Sequence, residues 1–203
     1  MTKVYVLLND ANNIYFPVKA DTDPYSGAVP FCAGSPQFFG GTVQGHETDR
    51  QVARRETAEE SQLTYLLANR PMTELYQANV GTPAAWEDGF FYSSSQWSNP
   101  AAHQWPGSLA DWQAYPPGYR EMCCVVSTPI NGLITALGLT RGQQLTCAPW
   151  QLPQLPQLAA ALVNAAVAGA PPWALPQVET VPSADFLGSE TLNAFACFVC
   201  NCL

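Results

Sequence analysis

Five of the chain's sixteen acidic residues fall within residues 40–61, GGTVQGHETDRQVARRETAEES, in a protein whose charged residues make up only 12% of the total. If 50–63 is helical, Val52, Glu56, Glu59, Glu60 and Leu63 stand at i, i+4, i+7, i+8 and i+11, the stripe that an amphipathic helix normally fills with apolar side chains. Here three of the five are carboxylates, gathered within about 100° of arc at 3.6 residues per turn. Glu56 and Glu60 sit one turn apart and repel even in water, and burial raises that cost sharply. A hard divalent cation removes the conflict, because Mg²⁺ prefers oxygen ligands and retains part of its water shell. A solvated helix paired to Arg50, Arg54 and Arg55 is the competing reading. Against it, the carboxylates share their stripe with Val52 and Leu63, and a Gly-Gly turn lies directly upstream.

Elements on either side must position this helix. Thr48 or Asp49 can cap its start, and the pattern carries it to about Ala68, before Pro71. Lys3–Leu8 and Ile14–Val18 read as two strands about an Asn9-Asp10 turn. The segment 21–41 carries Pro, Gly and Ser and reads as loop. Glu74–Val80, Gly89–Ser94 and Tyr119–Thr128 read as further strands, and Gly132–Leu139 as a short helix. Beyond Ala148 the texture changes to a Pro-spaced linker, WQLPQLPQ, followed by helical stretches at 155–168 and from Ala184 onward. The order of strands and helices predicts an α/β or α+β sandwich.

The charged segment resembles the Nudix box, whose pattern is Gly, five residues, Glu, seven residues, Arg-Glu, an aliphatic, one residue, Glu-Glu, one residue, Gly, an aliphatic. Gly41, Glu47, Arg55-Glu56, Glu59-Glu60 and Leu63 fill their places. Thr57 stands at the first aliphatic position and Gln62 where the second Gly belongs. The resemblance implies a Nudix-like mixed β-sheet flanked by helices over residues 1–147, with 148–203 as a Pro- and Ala-rich helical extension ending in Cys. It also implies Mg²⁺ or Mn²⁺ as cofactor. Glu56, Glu60 and neighbouring Glu59 would be its ligands, with the Gly40 carbonyl as a neutral oxygen. Glu47 and Arg55 would pair and tie loop to helix, and Gly41 would serve backbone conformation. Glu121, just before a late strand, is the expected base or extra ligand, with Glu87 and Asp111 as alternatives. The implied reaction is hydrolysis of the pyrophosphate linkage of a nucleoside diphosphate joined to another moiety, of ADP-ribose, dinucleotide or nucleotide-sugar type. A Nudix-fold binding or regulatory protein without turnover is the alternative.

The long segment 95–118 holds Trp97, Trp105 and Trp112, the expected platform for a nucleobase or other flat substrate group; a hydrophobic cluster under the loop is the competing reading. The formal net charge of −8 disfavours a broad nucleic-acid surface, but a small phosphorylated or nucleotide substrate is compatible with it if a cation mediates the contact. The longest apolar run, from Leu158 to Ala170, is too short to span a bilayer. The start is too quickly polar for a signal peptide, and seven cysteines read as free thiols in a reducing, cytoplasmic setting. A homodimer is left open.

Overall fold

The computed structural model describes residues 2–20, 22–23, 26–30, 32–61, 67, 70–82, 85–94, 106–143, 149–180 and 190–201, with the backbone alone at 81–82, 85–87 and 201. Among these, six strands form one mixed sheet: β1 (Thr2–Asn9), β2 (Asn13–Lys19), β3 (Phe39–Thr42), β4 (Thr73–Thr82), β5 (Ala85–Ser94) and β6 (Met122–Pro129). The order is β4-β5-β1-β2-β6, with β3 paired to β1. β1 runs parallel to β5, from Thr2 opposite Asp88 to Leu8 opposite Ser94. Its other edge is shared: Lys3 to Val6 pair with β3, and Leu8 and Asn9 pair with β2. β2 and β3 therefore part from a common edge, and β2 goes on to pair with β6.

Alternation along β1 sorts the two faces. Val4, Val6 and Leu8 are buried with Tyr15 and Phe39 against Val52 and Ala53 of α1 (Asp49–Glu60). Leu7 belongs to the opposite face, with Phe16, Phe38, Phe91 and Cys124. That face is covered by α3 (Ile130–Ala136), α4 (Leu155–Gly169) and α5 (Glu190–Asn201), through Leu133, Leu158, Leu162, Phe195 and Phe198. Phe195 of α5 meets Phe38 at 4.7 Å and Phe16 edge-on at 5.8 Å between centroids. The two units assigned from the sequence thus share one core. The architecture is α+β, a mixed sheet flanked by helices. No helix among the described residues is long and apolar enough to cross a membrane.

Three sequence expectations change. Phe39–Thr42 is a strand within the segment expected to be loop. A short helix, α2 (Leu109–Gln113), interrupts the long segment before β6, capped by Ser108, whose hydroxyl accepts from the Asp111 N–H. α1 closes at Glu60, with Ser61 as its cap, rather than near Ala68; residues 62–66, including Gln62 and Leu63, lie outside the described residues. Its start is at the expected place. Thr48 is the N-cap in extended conformation, and Gln51 returns the bond as a capping box, its Oε1 2.8 Å from the Thr48 N–H.

Thr57, at the aliphatic place of the box, is fully buried, and its hydroxyl has no hydrogen-bond partner among the described residues. A buried hydroxyl without a partner is a cost that an isosteric apolar side chain avoids. Thr57→Val is expected to stabilise the fold by about 1 kcal/mol, read as a higher midpoint in urea at unchanged slope.

Candidate active site

The capped start of α1 fixes which side chains face β3. Glu60, the last residue of the helix, is 2% exposed, and its Oε2 accepts a hydrogen bond from the Gly40 N–H at 2.7 Å. Glu56, one turn earlier, lies against the Cα of Gly41. A Cβ on Gly41 would collide with the Glu56 carboxylate. Gly41 was expected to serve backbone conformation, but it is not among the positive-φ glycines. Its role is space: the absent side chain makes the cradle that the carboxylate fills. Gly41→Ala is expected to push Glu56 out of place, costing about 1 kcal/mol of stability and about tenfold in affinity for Mn²⁺, measured by thermal unfolding and metal titration.

Arg55 binds the loop to the helix. Its Nε donates to Glu47 Oε1 and its Nη2 to Glu47 Oε2, both at 2.9 Å, the bidentate form that makes a guanidinium–carboxylate pair strong and directional. Nη2 also donates to the Thr42 carbonyl at 3.1 Å. Nη1 donates to Glu56 Oε1 at 2.6 Å and lies 3.5 Å from Glu59 Oε2. One cation therefore holds three carboxylates and the end of β3. The Thr42 carbonyl was not foreseen, since the sequence shows nothing of how β3 sits beside the helix. The Gly40 backbone, expected to offer its carbonyl to a cation, directs its N–H at Glu60.

Glu121 comes from the edge of the sheet, at the start of β6. It immediately precedes β6, its carbonyl accepts from the Ala20 N–H at 2.9 Å, and its Oε2 lies 3.5 Å from Lys19 Nζ. Its charge acts on both Glu60 and Glu56. Lys19, also missed in the sequence, ends β2, where a register shift in the β2–β6 pairing falls between Val18 and Lys19. Of the alternatives to Glu121, Asp111 is engaged at its own helix start, where its Oδ2 accepts from the Ser108 hydroxyl at 2.8 Å. Glu87 lies on β5, its side chain outside the described residues.

The electrostatics follow from this crowding. Burial pushes the Glu60 carboxyl well above the usual carboxylate range, and the neighbouring Glu121 charge pushes it further; Lys19 and the Gly40 N–H oppose them. Burial also pushes Glu56 up, against the pull of Arg55. The bond from Arg55 holds Glu47 below its ordinary value.

Among the described residues no three His, Cys, Asp or Glu side chains converge as a ready-made metal cage. The donor set nevertheless fits Mg²⁺ or Mn²⁺. Such ions are commonly held by one or two carboxylates, with water and substrate phosphates completing the shell. Glu56 and Glu60 supply two hard oxygen donors on one face. Among the ion pairs and charge contacts of the described residues, Glu47, Glu56, Glu59, Glu60 and Glu121 meet Arg55 and Lys19, five carboxylates to two cations. Glu59 turns toward Arg55.

Of the three tryptophans expected to form an aromatic platform, Trp112 alone is among the described residues; Trp97 and Trp105 lie outside them. Trp112 was expected to stack on substrate, but it is 1% exposed in the core, its indole N–H donating to the Met122 carbonyl at 2.8 Å and its ring 5.9 Å from Trp173. A ring so enclosed offers no free face to a ligand. His46 is exposed on the loop before α1, and His103 lies outside the described residues.

No family model matches the chain, and no curated protein sequence matches it. Several solved structures are similar at low identity. A mutT/nudix family protein from Listeria innocua is 18% identical, covering 68% of this chain and 82% of its own, at a TM-score of 0.42. A MutT protein from Methanosarcina mazei is 12% identical, covering 66% and 80%, at 0.43. The NUDIX domain of Shewanella oneidensis NrtR, solved with ADP ribose, is 13% identical, covering 66% and 76%, at 0.41.

Proposed function

We propose that this chain is a Nudix-type hydrolase that cuts the pyrophosphate linkage of a nucleoside diphosphate joined to another group. Its cofactor is Mg²⁺ or Mn²⁺, held by Glu56 and Glu60. The observation that carries the reading is Glu60: a carboxylate buried at the end of α1, beside Glu56 and within the field of Glu121, with a single backbone N–H donating to it among the described contacts. Such a group is costly unless a cation joins it. The spacing of Gly41, Glu47, Arg55, Glu56, Glu59 and Glu60 supports the same conclusion.

Bound there, the metal would supply neutralisation of diphosphate oxygens and a lower pKa for the attacking water. The rest falls to the chain's own side chains. Arg55 fixes Glu56, Glu59 and Glu47 in one arrangement, so the carboxylates need not reorganise when substrate arrives. Glu121 is 55% exposed at its side chain, which leaves its carboxylate able to accept the proton of the attacking water. Gly41 lets the backbone of β3 approach the Glu56 carboxylate, and Gly40 offers its N–H to Glu60.

A second reading, ligand binding without turnover, is favoured by one observation: Arg55 already neutralises part of Glu56 and Glu59. A panel of diphosphate compounds incubated with Mg²⁺ or Mn²⁺, with and without chelator, separates the two. Metal-dependent release of a monophosphate product supports the hydrolase. Binding with no release from any compound supports the second reading.

A further inference from the structure

Glu121 stands beside an irregularity of the sheet. Val18 pairs with Cys124 and Lys19 with Met122, so Cys123 is an extra residue on β6, a β-bulge. Regular alternation would send the side chains of Cys123 and Cys124 to opposite faces. At the bulge both lie in one core, their sulfurs 3.9 Å apart. A bulge also interrupts the ladder of hydrogen bonds, so the start of β6, and Glu121 just before it, need support from elsewhere.

That support comes from the connection preceding β6. Trp112 of α2 is 1% exposed, and its indole N–H donates to the Met122 carbonyl at 2.8 Å. Arg120, also buried, donates from Nη1 to the carbonyl of Gln113, the last residue of α2, at 2.8 Å. Both chain neighbours of Glu121 are thus tied to one short helix. The Glu121 carbonyl accepts from the Ala20 N–H at 2.9 Å. Behind α2, the Trp173 ring lies 5.9 Å from that of Trp112. Between α2 and Glu121, a single 3-10 turn at Pro117–Tyr119 passes beside α1. These ties run to backbone groups, so the Glu121 carboxylate itself stays 55% exposed, with Lys19 at 3.5 Å.

We propose that Trp112 and Arg120 are positioning residues that hold Glu121 at the acidic face of α1, Trp112 through the Met122 carbonyl. The inference rests on the hydrolase reading for the task of Glu121, accepting the proton of the attacking water. Trp112 then serves the reaction without touching substrate. A reacting group displaced by about 1 Å loses up to about a hundredfold in rate, and a buried carbonyl deprived of its donor drives such a displacement.

Trp112→Phe keeps a ring in the core and removes the N–H. Trp173→Phe is the control, since it removes a neighbouring indole N–H that has no acceptor among the described residues. Amide hydrogen exchange followed by NMR reads the positioning without turnover. The Ala20 N–H reports on Glu121, and the Gly40 N–H, bonded to Glu60, reports on α1. In Trp112→Phe the Ala20 amide is expected to exchange about tenfold faster and the Gly40 amide at its native rate. Kinetics with Mg²⁺ use whichever compound of the diphosphate panel the native protein hydrolyses fastest. There kcat is expected to fall about tenfold, with KM and Mn²⁺ affinity held within about twofold. Added to Glu121→Gln, Trp112→Phe should cost nothing more, because it acts through that residue. Arg120→Lys keeps the charge but not the guanidinium's reach, and should show the same pattern more weakly. Trp173→Phe should match the native protein in both readouts. Unchanged Ala20 exchange in Trp112→Phe, equal acceleration in Trp173→Phe, or losses that multiply between Trp112→Phe and Glu121→Gln would overturn the proposal. A native protein that hydrolyses no compound would reject the hydrolase reading, and the exchange rates would then decide the positioning of Glu121 by themselves.

Discussion

Glu60→Gln is expected to lower diphosphate hydrolysis by at least a hundredfold while raising the thermal stability of the metal-free protein. The first effect follows from the carboxylate's proposed role. Removing a charged metal ligand at about 1.36 kcal/mol per factor of ten costs about 2.7 kcal/mol of transition-state stabilisation. The second follows from burial. Gln keeps an oxygen for the Gly40 N–H and fills nearly the same volume, but it carries no charge to desolvate. Each kcal/mol relieved corresponds to a rise of about 2–4 °C in a chain of this length.

The pH dependence gives the stability effect its signature. The folded protein holds the Glu60 proton to higher pH than the unfolded chain, whose value is near 4.5. Between the two values the folded state binds more protons, so stability falls as pH rises. Gln does not follow that fall. The advantage of Glu60→Gln is therefore expected to grow as the pH rises above about 4.5 and to vanish below it. Thermal melts of both proteins in chelator across this range provide the measurement. A variant that is both inactive and less stable at every pH would show Glu60 to be an ordinary structural residue.

Arg55→Ala is expected to destabilise the fold by roughly 2–3 kcal/mol and to abolish most activity. Breaking a half-buried, hydrogen-bonded ion pair by removing one partner costs more than the pair itself contributes, since the other charge is left behind. The charge left behind is that of Glu56, 14% exposed at its side chain, beside Glu59 and Glu60. The Thr42 carbonyl loses its donor as well. Arg55→Lys would retain the charge but not the fork that meets Glu47 with two nitrogens, and should recover only part of the loss. Urea unfolding of the three proteins at equal pH measures the difference. A loss below 0.5 kcal/mol for Arg55→Ala would place this cluster among exposed surface pairs.

The parts of this site that were legible in the sequence are those written within one element. Thr48 or Asp49 marked the helix start, and the i, i+4, i+8 spacing of Val52, Glu56 and Glu60 marked its inward face. The strands on either side of Asn9-Asp10 were legible for the same reason. What escaped depends on contacts between distant segments. Phe39–Thr42 contains two glycines and no alternation, so its strand character comes entirely from pairing with β1. The parallel partnership of β1 and β5 joins residues more than eighty positions apart, and no local pattern encodes it. Lys19 meets Glu121 only because β2 pairs with β6. Trp112 looked like a loop aromatic available to substrate. Its burial follows from α2 turning the ring under the core, where the Met122 carbonyl accepts its N–H. The space requirement at Gly41 likewise depends on a side chain fifteen residues away.

The account turns on the acidic face of α1 holding a divalent cation. Mn²⁺ binding followed by electron paramagnetic resonance, on the native protein and on Glu56→Gln and Glu60→Gln, tests this most directly. The account predicts binding by the native protein and at least tenfold weaker binding by each variant. Equal affinity in all three, or no binding by the native protein even in the presence of a non-hydrolysable diphosphate, would contradict it.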